Sequence, residues 1–222
     1  MTPDHVSRET PPAPEAARGV FASERLPLAQ RYADWLAADA VERGLIGPRE
    51  VPRLWERHLL NCAVLQEVVP AEATVCDLGS GAGLPGLVLA IARPDVEVTL
   101  VEPLLRRTTF LEEVVADLAL DHCHVRRTRA EELHGSFRFD VVTSRAVAPL
   151  PKLLRWSLPL VAEQGAMVAM KGAGAAEEVR AARPELRRLG CSTPEVLTLG
   201  VGLLDPPTTV VRVAPGRGPQ VG

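Results

Sequence analysis

From Thr74 onward the chain alternates short apolar runs with longer stretches in which apolar residues recur every three to four positions. That alternation predicts a parallel sheet with crossover helices, because strands covered on both faces read as continuous apolar runs. Strands are predicted at Thr74–Leu78, Glu97–Val101, His122–Arg126, Phe139–Thr143, Ala166–Met170, Val196–Leu199 and Thr208–Val213. Helices are predicted over Pro85–Ala92, Leu104–Ala119, Pro151–Val161 and Ala175–Leu189. Only VGLLDPP separates the last two strands, a link that suits a hairpin, so the final strand should enter the sheet antiparallel.

Upstream the period is helical throughout. Leu28, Tyr32, Trp35 and Leu36 share one stripe, and Val51, Leu54, Trp55, Leu59, Cys62 and Leu65 share a second, with GLIGPRE between them. The organisation expected is a helical extension over residues 19–70 on an α/β domain over 71–214. Residues 1–18, rich in Pro, Ala and charge, and the tail from Pro215 carry no hydrophobic period and are expected to be disordered.

Composition narrows the classes. The 222 residues are 46 % hydrophobic and 24 % charged, with a formal net charge of −3, which suits a globular chain and argues against one that coats nucleic acid by bulk charge. A local basic patch remains open. Of the 25 basic residues all but Lys152 and Lys171 are arginine. The four cysteines form no C-x-x-C pair and no zinc spacing, so they read as free thiols of a cytoplasmic protein, with no metal expected. No run approaches the ~18 apolar residues needed to span a bilayer, and the N-terminal residues lack the apolar centre of a signal peptide.

The chemistry concentrates in CDLGSGAGLPGLVLA, residues 76–90. A strand ends at Leu78 and a turn carrying Gly79, Gly81, Gly83 and Gly86 leads into a helix, the arrangement that lets a nucleotide approach the main chain. About 20 residues further on, the next strand ends in Glu102, placed to accept hydrogen bonds from a ribose. Gly81-x-Gly83-x-x-Gly86 also satisfies the dinucleotide fingerprint, so an NAD-dependent oxidoreductase stays as the alternative. Asp77 discriminates: a carboxylate there would repel a pyrophosphate and attract the sulfonium and ammonium of S-adenosylmethionine. After the third strand, Ala130 and Glu131 are placed to flank an adenine. Ser144, Arg145 and Lys171 come at the carboxyl ends of the next two strands, where open α/β sheets bind ligands. The alternative for Arg145 is a surface ion-pair partner, and for His58 the two roles are docking the extension and approaching the substrate.

Six blocks occur in order: RHLLN (57–61), DLGSGAGLPG (77–86), VEPLLRRTTFL (101–111), RAEEL (129–133), SRAVAPL (144–150) and MKG (170–172). With them the chain closely resembles the bacterial small-subunit ribosomal RNA guanine-N-7 methyltransferases, the glucose-inhibited division protein B family, from about Leu28 to Ala214. The resemblance implies a class I S-adenosylmethionine-dependent methyltransferase fold, Rossmann-like and seven-stranded with an antiparallel last strand, acting in the cytoplasm on a guanine in the decoding-region loop of 16S ribosomal RNA. It implies cofactor contacts at Gly79, Leu84, Ala130, Glu131 and Arg145, with Glu102 on the ribose, and the turn itself adds Gly81 and Gly83. Arg145 and Lys171 would position substrate, and Arg106, Arg107, Lys171 and His58 would contact RNA. The small ribosomal subunit is the partner implied, and nothing in the sequence demands more than a monomer. One departure stands out: Asn61 and Cys62 occupy positions where the family often has Asp and Ser.

Overall fold

A computed structural model describes residues 10–216. The notion of disordered ends therefore falls outside the described residues at 1–9 and 217–222. Residues 10–18 depart from it: Glu15–Gly19 form a 3-10 turn, Ala17 is fully buried, and Trp55 Nε1 donates to the Pro11 carbonyl. The Ala13 N–H donates to the Gln30 side chain. This segment has no period of its own because its partners lie in the helices it crosses.

The extension contains α1 (Leu26–Ala37), α2 (Asp39–Glu42) and an irregular helical segment. That segment runs through a 3-10 stretch (Pro48–Arg53), a π-helix (Leu54–Leu60), the short α3 (Asn61–Ala63) and a second 3-10 stretch (Val64–Val68). Then come β1 (Thr74–Leu78), α4 (Gly86–Ala92), β2 (Glu97–Val101), α5 (Leu105–Asp117), β3 (Cys123–Arg126) and β4 (Phe139–Arg145). They are followed by α6 (Leu150–Ser157), β5 (Val161–Lys171), α7 (Ala175–Arg188), β6 (Glu195–Leu199) and β7 (Thr208–Val213). The strand order is β3-β2-β1-β4-β5-β7-β6, with β7 antiparallel to both its neighbours and the remaining pairs parallel.

Successive residues of the central strands feed opposite cores. Val75, Val141, Ala166 and Val168 face the extension, α4 and α5, whereas Cys76, Val142, Met167 and Ala169 face α6 and α7. This two-sided burial is why these strands read as unbroken apolar runs. The extension belongs to the first of these cores, where Tyr32, Leu36, Leu54 and Leu59 are fully buried. Polar ties reinforce it: Asp117 accepts from Arg31 at 2.5 and 2.6 Å and from Trp35 Nε1 at 2.8 Å. The strand order reverses between β1 and β4, leaving a crevice at their carboxyl ends, the usual ligand site of an open α/β sheet.

Candidate active site

The glycine turn leaves β1 inward and returns as α4. Its amides are used by the fold: Gly79 N–H donates to Val101 O, and Gly83 and Leu84 N–H both donate to Ser80 O. The four glycines divide by what a side chain would meet. At Gly83 a Cβ would lie 2.3 Å from Leu87 Cδ1 and 2.9 Å from Tyr32 Oη, and at Gly86 it would lie 2.3 Å from Leu100 Cδ2. Those two are packing glycines: Gly83, expected at the cofactor, admits α1 and α4 to the turn. At Gly81 a Cβ would meet only the Gly79 carbonyl, at 3.8 Å, which leaves room for a ligand beside the main chain. Leu84 is a buried side chain beneath this turn.

Two carboxylates lie under the crevice. Asp77 is 0 % exposed; one oxygen accepts from Gly86 N–H at 3.0 Å, and Oδ1 has no partner among the described residues. It thus sits beneath the turn rather than facing outward, and burial raises its pKa from 3.8 to about 7. Glu102 is 1 % exposed and accepts from Gly81 N–H at 3.1 Å, Leu104 N–H at 3.2 Å and Arg107 Nη1 at 3.2 Å. A carboxylate offers about four lone-pair sites, so Glu102 keeps one acceptor position for a ribose hydroxyl. Arg107, expected on RNA, caps Glu102 through one nitrogen, while Arg106 is exposed and pairs with no carboxylate among the described residues. Past β3, Ala130 and Glu131 open a 3-10 turn, Ala130 half-buried and Glu131 exposed. The open space at Gly81 and the spare acceptor of Glu102 together fit a ligand that carries a ribose.

On the other side of β4 lies an open groove of about 1470 Å³. Arg53, Arg57 and Asn61 of the extension line one wall, Arg145 and Val147 the floor, and the β6–β7 hairpin from Leu203 to Thr209 the far wall. The residues after β4 separate groove from glycine turn: a Cβ at Gly79 would touch Val147 at 2.9 Å. Ala146 holds φ +54°, strained for a non-glycine residue at about 1–2 kcal/mol. Lys171 secures this loop. Its side chain is only 10 % exposed, and Nζ donates to Ala148 O at 3.2 Å and to Glu178 at 2.8 Å, while Glu178 also accepts from Leu150 N–H. Lys171, expected as a phosphate ligand, is therefore an anchor of the loop.

Arg145 turns toward the extension. Nη2 lies 2.6 Å from His58 Nδ1, and Nη1 lies 3.4 Å from Arg57 O and 3.8 Å from Cys62 Sγ. His58 Nε2 meets Glu50 Oε2 at 2.9 Å. His58 is 8 % exposed with both ring nitrogens engaged, which fits the docking role of the two weighed for it and not the RNA contact. Asn61 clamps the extension to the sheet, accepting from Thr208 Oγ1 at 2.6 Å and donating to Glu56 O at 2.5 Å.

Several of these residues gave no separate signal in the sequence. Tyr32, the single tyrosine, read as one more apolar position, yet its hydroxyl donates to the Ala82 carbonyl of the glycine turn at 2.7 Å. A phenol on a buried stripe was the available clue, since such a hydroxyl needs a partner. Arg53, Glu50 and Glu178 could be assigned only from the fold. Among the described residues no cluster could hold a metal ion, and no helix is long and apolar enough to cross a membrane.

Comparison with known proteins agrees with this geometry. A "ribosomal RNA small subunit methyltransferase G" of Nocardioides is 68 % identical over 96 % of this chain and 87 % of its own. Its namesake in Thermobifida fusca is 60 % identical over 90 % and 84 %. Among solved structures, an O-methyltransferase of Thermotoga maritima described as SAM-dependent shares the fold, with a TM-score of 0.55, 14 % identity, and coverage of 85 % of this chain and 72 % of that one. A precorrin-6y C5,15-methyltransferase of Geobacter metallireducens does so at 0.51, with 14 % identity over 76 % and 89 %. The dinucleotide reading of the glycine turn is thereby set aside. Residues 25–200 match the model of the family described as rRNA small subunit methyltransferase G, GidB, and the chain belongs to that family.

Proposed function

We propose that the protein transfers the methyl group of S-adenosylmethionine to N-7 of a guanine in the decoding-region loop of 16S ribosomal RNA, acting as a cytoplasmic monomer on the small ribosomal subunit. The observation that carries this reading is the pairing of two sites across one wall, Arg145 to Val147. On one side lie the glycine turn and Glu102; on the other, a groove flanked by Arg53, Arg57 and Arg145. Family membership supports the same substrate class.

S-adenosylmethionine, when bound, supplies an electrophilic methyl carbon. Gly81 and Glu102 are the residues that would hold its ribose side. Guanine N-7 carries no proton and already presents a lone pair, so the chain needs no general base. Its task is placement, which can lower a barrier by roughly 7–11 kcal/mol in favourable models. The usual arginine fork onto N-7 and O-6 is excluded while N-7 reacts, so a single donor to O-6 is expected. Arg145 has five N–H donors and three contacts in the fold, so it retains capacity for such a bond. Arg53, which pairs with no carboxylate among the described residues, and Arg57 stand at the groove for phosphate.

The test is a map of N-7-methylguanosine in 16S RNA from cells with and without the gene, alongside methylation of naked 16S RNA and of unmodified small subunits by the purified protein. Loss of one modified guanine on deletion, restored by the protein in vitro, is expected. An unchanged map would refute the assignment.

A further inference from the structure

Arg145 is the side chain at the wall between the two sites, and its orientation is set from outside the sheet. A guanidinium only donates, so the 2.6 Å contact from Nη2 requires His58 Nδ1 to be an unprotonated acceptor. The ring proton then resides on Nε2 and is donated to Glu50 Oε2 at 2.9 Å. Glu50 thus fixes the tautomer that can receive Arg145. His58 lies in the π-helical stretch Leu54–Leu60, an irregularity often found at functional sites. The backbone carbonyl of its neighbour Arg57 receives the other guanidinium nitrogen. One turn of the extension therefore grips both ends of the guanidinium fork.

We propose that Glu50 and His58 are positioning residues for Arg145: a neutral His58, oriented by Glu50, holds the guanidinium at the wall between groove and glycine turn, and protonation of His58 releases it. The proposal rests on the methyltransferase reading above, in which Arg145 works on the substrate. The charged and titratable groups facing His58 are Glu50 and Arg57 from the extension and Arg145 from β4; Cys62 of the extension touches Arg145 as well. Burial, and then Arg145, push the His58 pKa below its ordinary 6.5, with Glu50 opposing, so the acceptor form prevails at neutral pH. On acidification an Nδ1–H would face the guanidinium N–H donors, and the contact would become repulsive.

Two measurements on the full chain test this. The first uses ¹⁵N-imidazole NMR and needs no activity. In the wild type His58 should be the Nε2–H tautomer at pH 7 and titrate below 6.5; Arg145→Ala should raise its midpoint, and Glu50→Gln should lower it. A His58 that carries its proton on Nδ1, or whose titration ignores Arg145→Ala, overturns the proposal. The second is the pH profile of kcat with unmodified small subunits. His58→Asn places an amide oxygen where Nδ1 stood and should keep kcat within about threefold while abolishing its fall on the acid side. His58→Phe should lower kcat about 10- to 100-fold, as misplacement of a substrate-positioning group does. If the Asn variant is as impaired as Phe, or keeps the acid limb, the relay is refuted. Absence of methyl transfer by the wild type would instead refute the functional reading, with the NMR outcome standing apart from it.

Discussion

Asp77 links stability to pH in a way that one substitution exposes. Its carboxyl group titrates near 3.8 when unfolded and near 7 in the fold, because burial penalises the anion more than the Gly86 N–H and Ser80 stabilise it. Between those values the folded chain keeps a proton that the unfolded chain has released, so stability falls as pH rises and levels off above 7. Applied to that shift, linkage gives a cost of about 2 kcal/mol at pH 5 and about 4 kcal/mol at pH 8. Asp77→Asn keeps an acceptor for Gly86 N–H and removes the ionisation. Urea unfolding followed by tryptophan fluorescence at pH 5 and pH 8 then compares the two proteins, and groups titrating elsewhere cancel in the difference. The variant's advantage over the wild type should be about 2.5 kcal/mol larger at pH 8 than at pH 5. A difference that does not change with pH would show that Asp77 is not held near 7, and the reasoning would fail.

Three other outcomes are expected. Tyr32→Phe leaves the Ala82 carbonyl without its buried donor and should cost about 1–2 kcal/mol in urea unfolding. It should also weaken S-adenosylmethionine binding, because the glycine turn loses a support; unchanged binding would separate α1 from the cofactor site. Lys171→Met should lower the melting temperature while leaving the salt dependence of RNA binding intact, since the ammonium is spent on Glu178 and Ala148; a slope reduced by about one would mean that it touches phosphate. Arg53→Ala and Arg57→Ala should each reduce that slope by about one, and a slope equal to the wild type's in both would remove the groove wall from the RNA interface.

Much of the sheet was legible because its central strands are apolar on both faces. Thr74–Leu78, Glu97–Val101 and Thr208–Val213 lie where the apolar runs place them. β5 begins earlier than its run predicts, at Val161, which pairs with Phe139; the exposed Glu163 and Gln164 fall at a register shift before pairing resumes at Ala166, and interrupt the apolar pattern. Arg49–Val69 read as one regular helix, yet 3-10 and π turns break the stretch from Pro48 to Val68, and a period of 3.6 cannot anticipate a change of winding. For the site, the glycine turn and the carboxyl-edge positions of Glu102, Arg145 and Lys171 followed from motif and topology. What each side chain touches did not: Lys171 meets Glu178, and His58 meets Arg145 across 87 positions, pairings that only the tertiary structure creates.

The shared core has a consequence for how the chain is made. The extension leaves the translating ribosome first, yet the surface that covers Tyr32, Leu36, Leu54 and Leu59 is built from α4, α5 and strands synthesised later. Until those segments emerge, the extension can pair Trp55 with its own Phe21, but Trp35 and the apolar face that α4 and α5 cover stay open. Nascent chains arrested before β2 should therefore engage holdase chaperones or be clipped by proteases, and acquire resistance only once α5 has appeared.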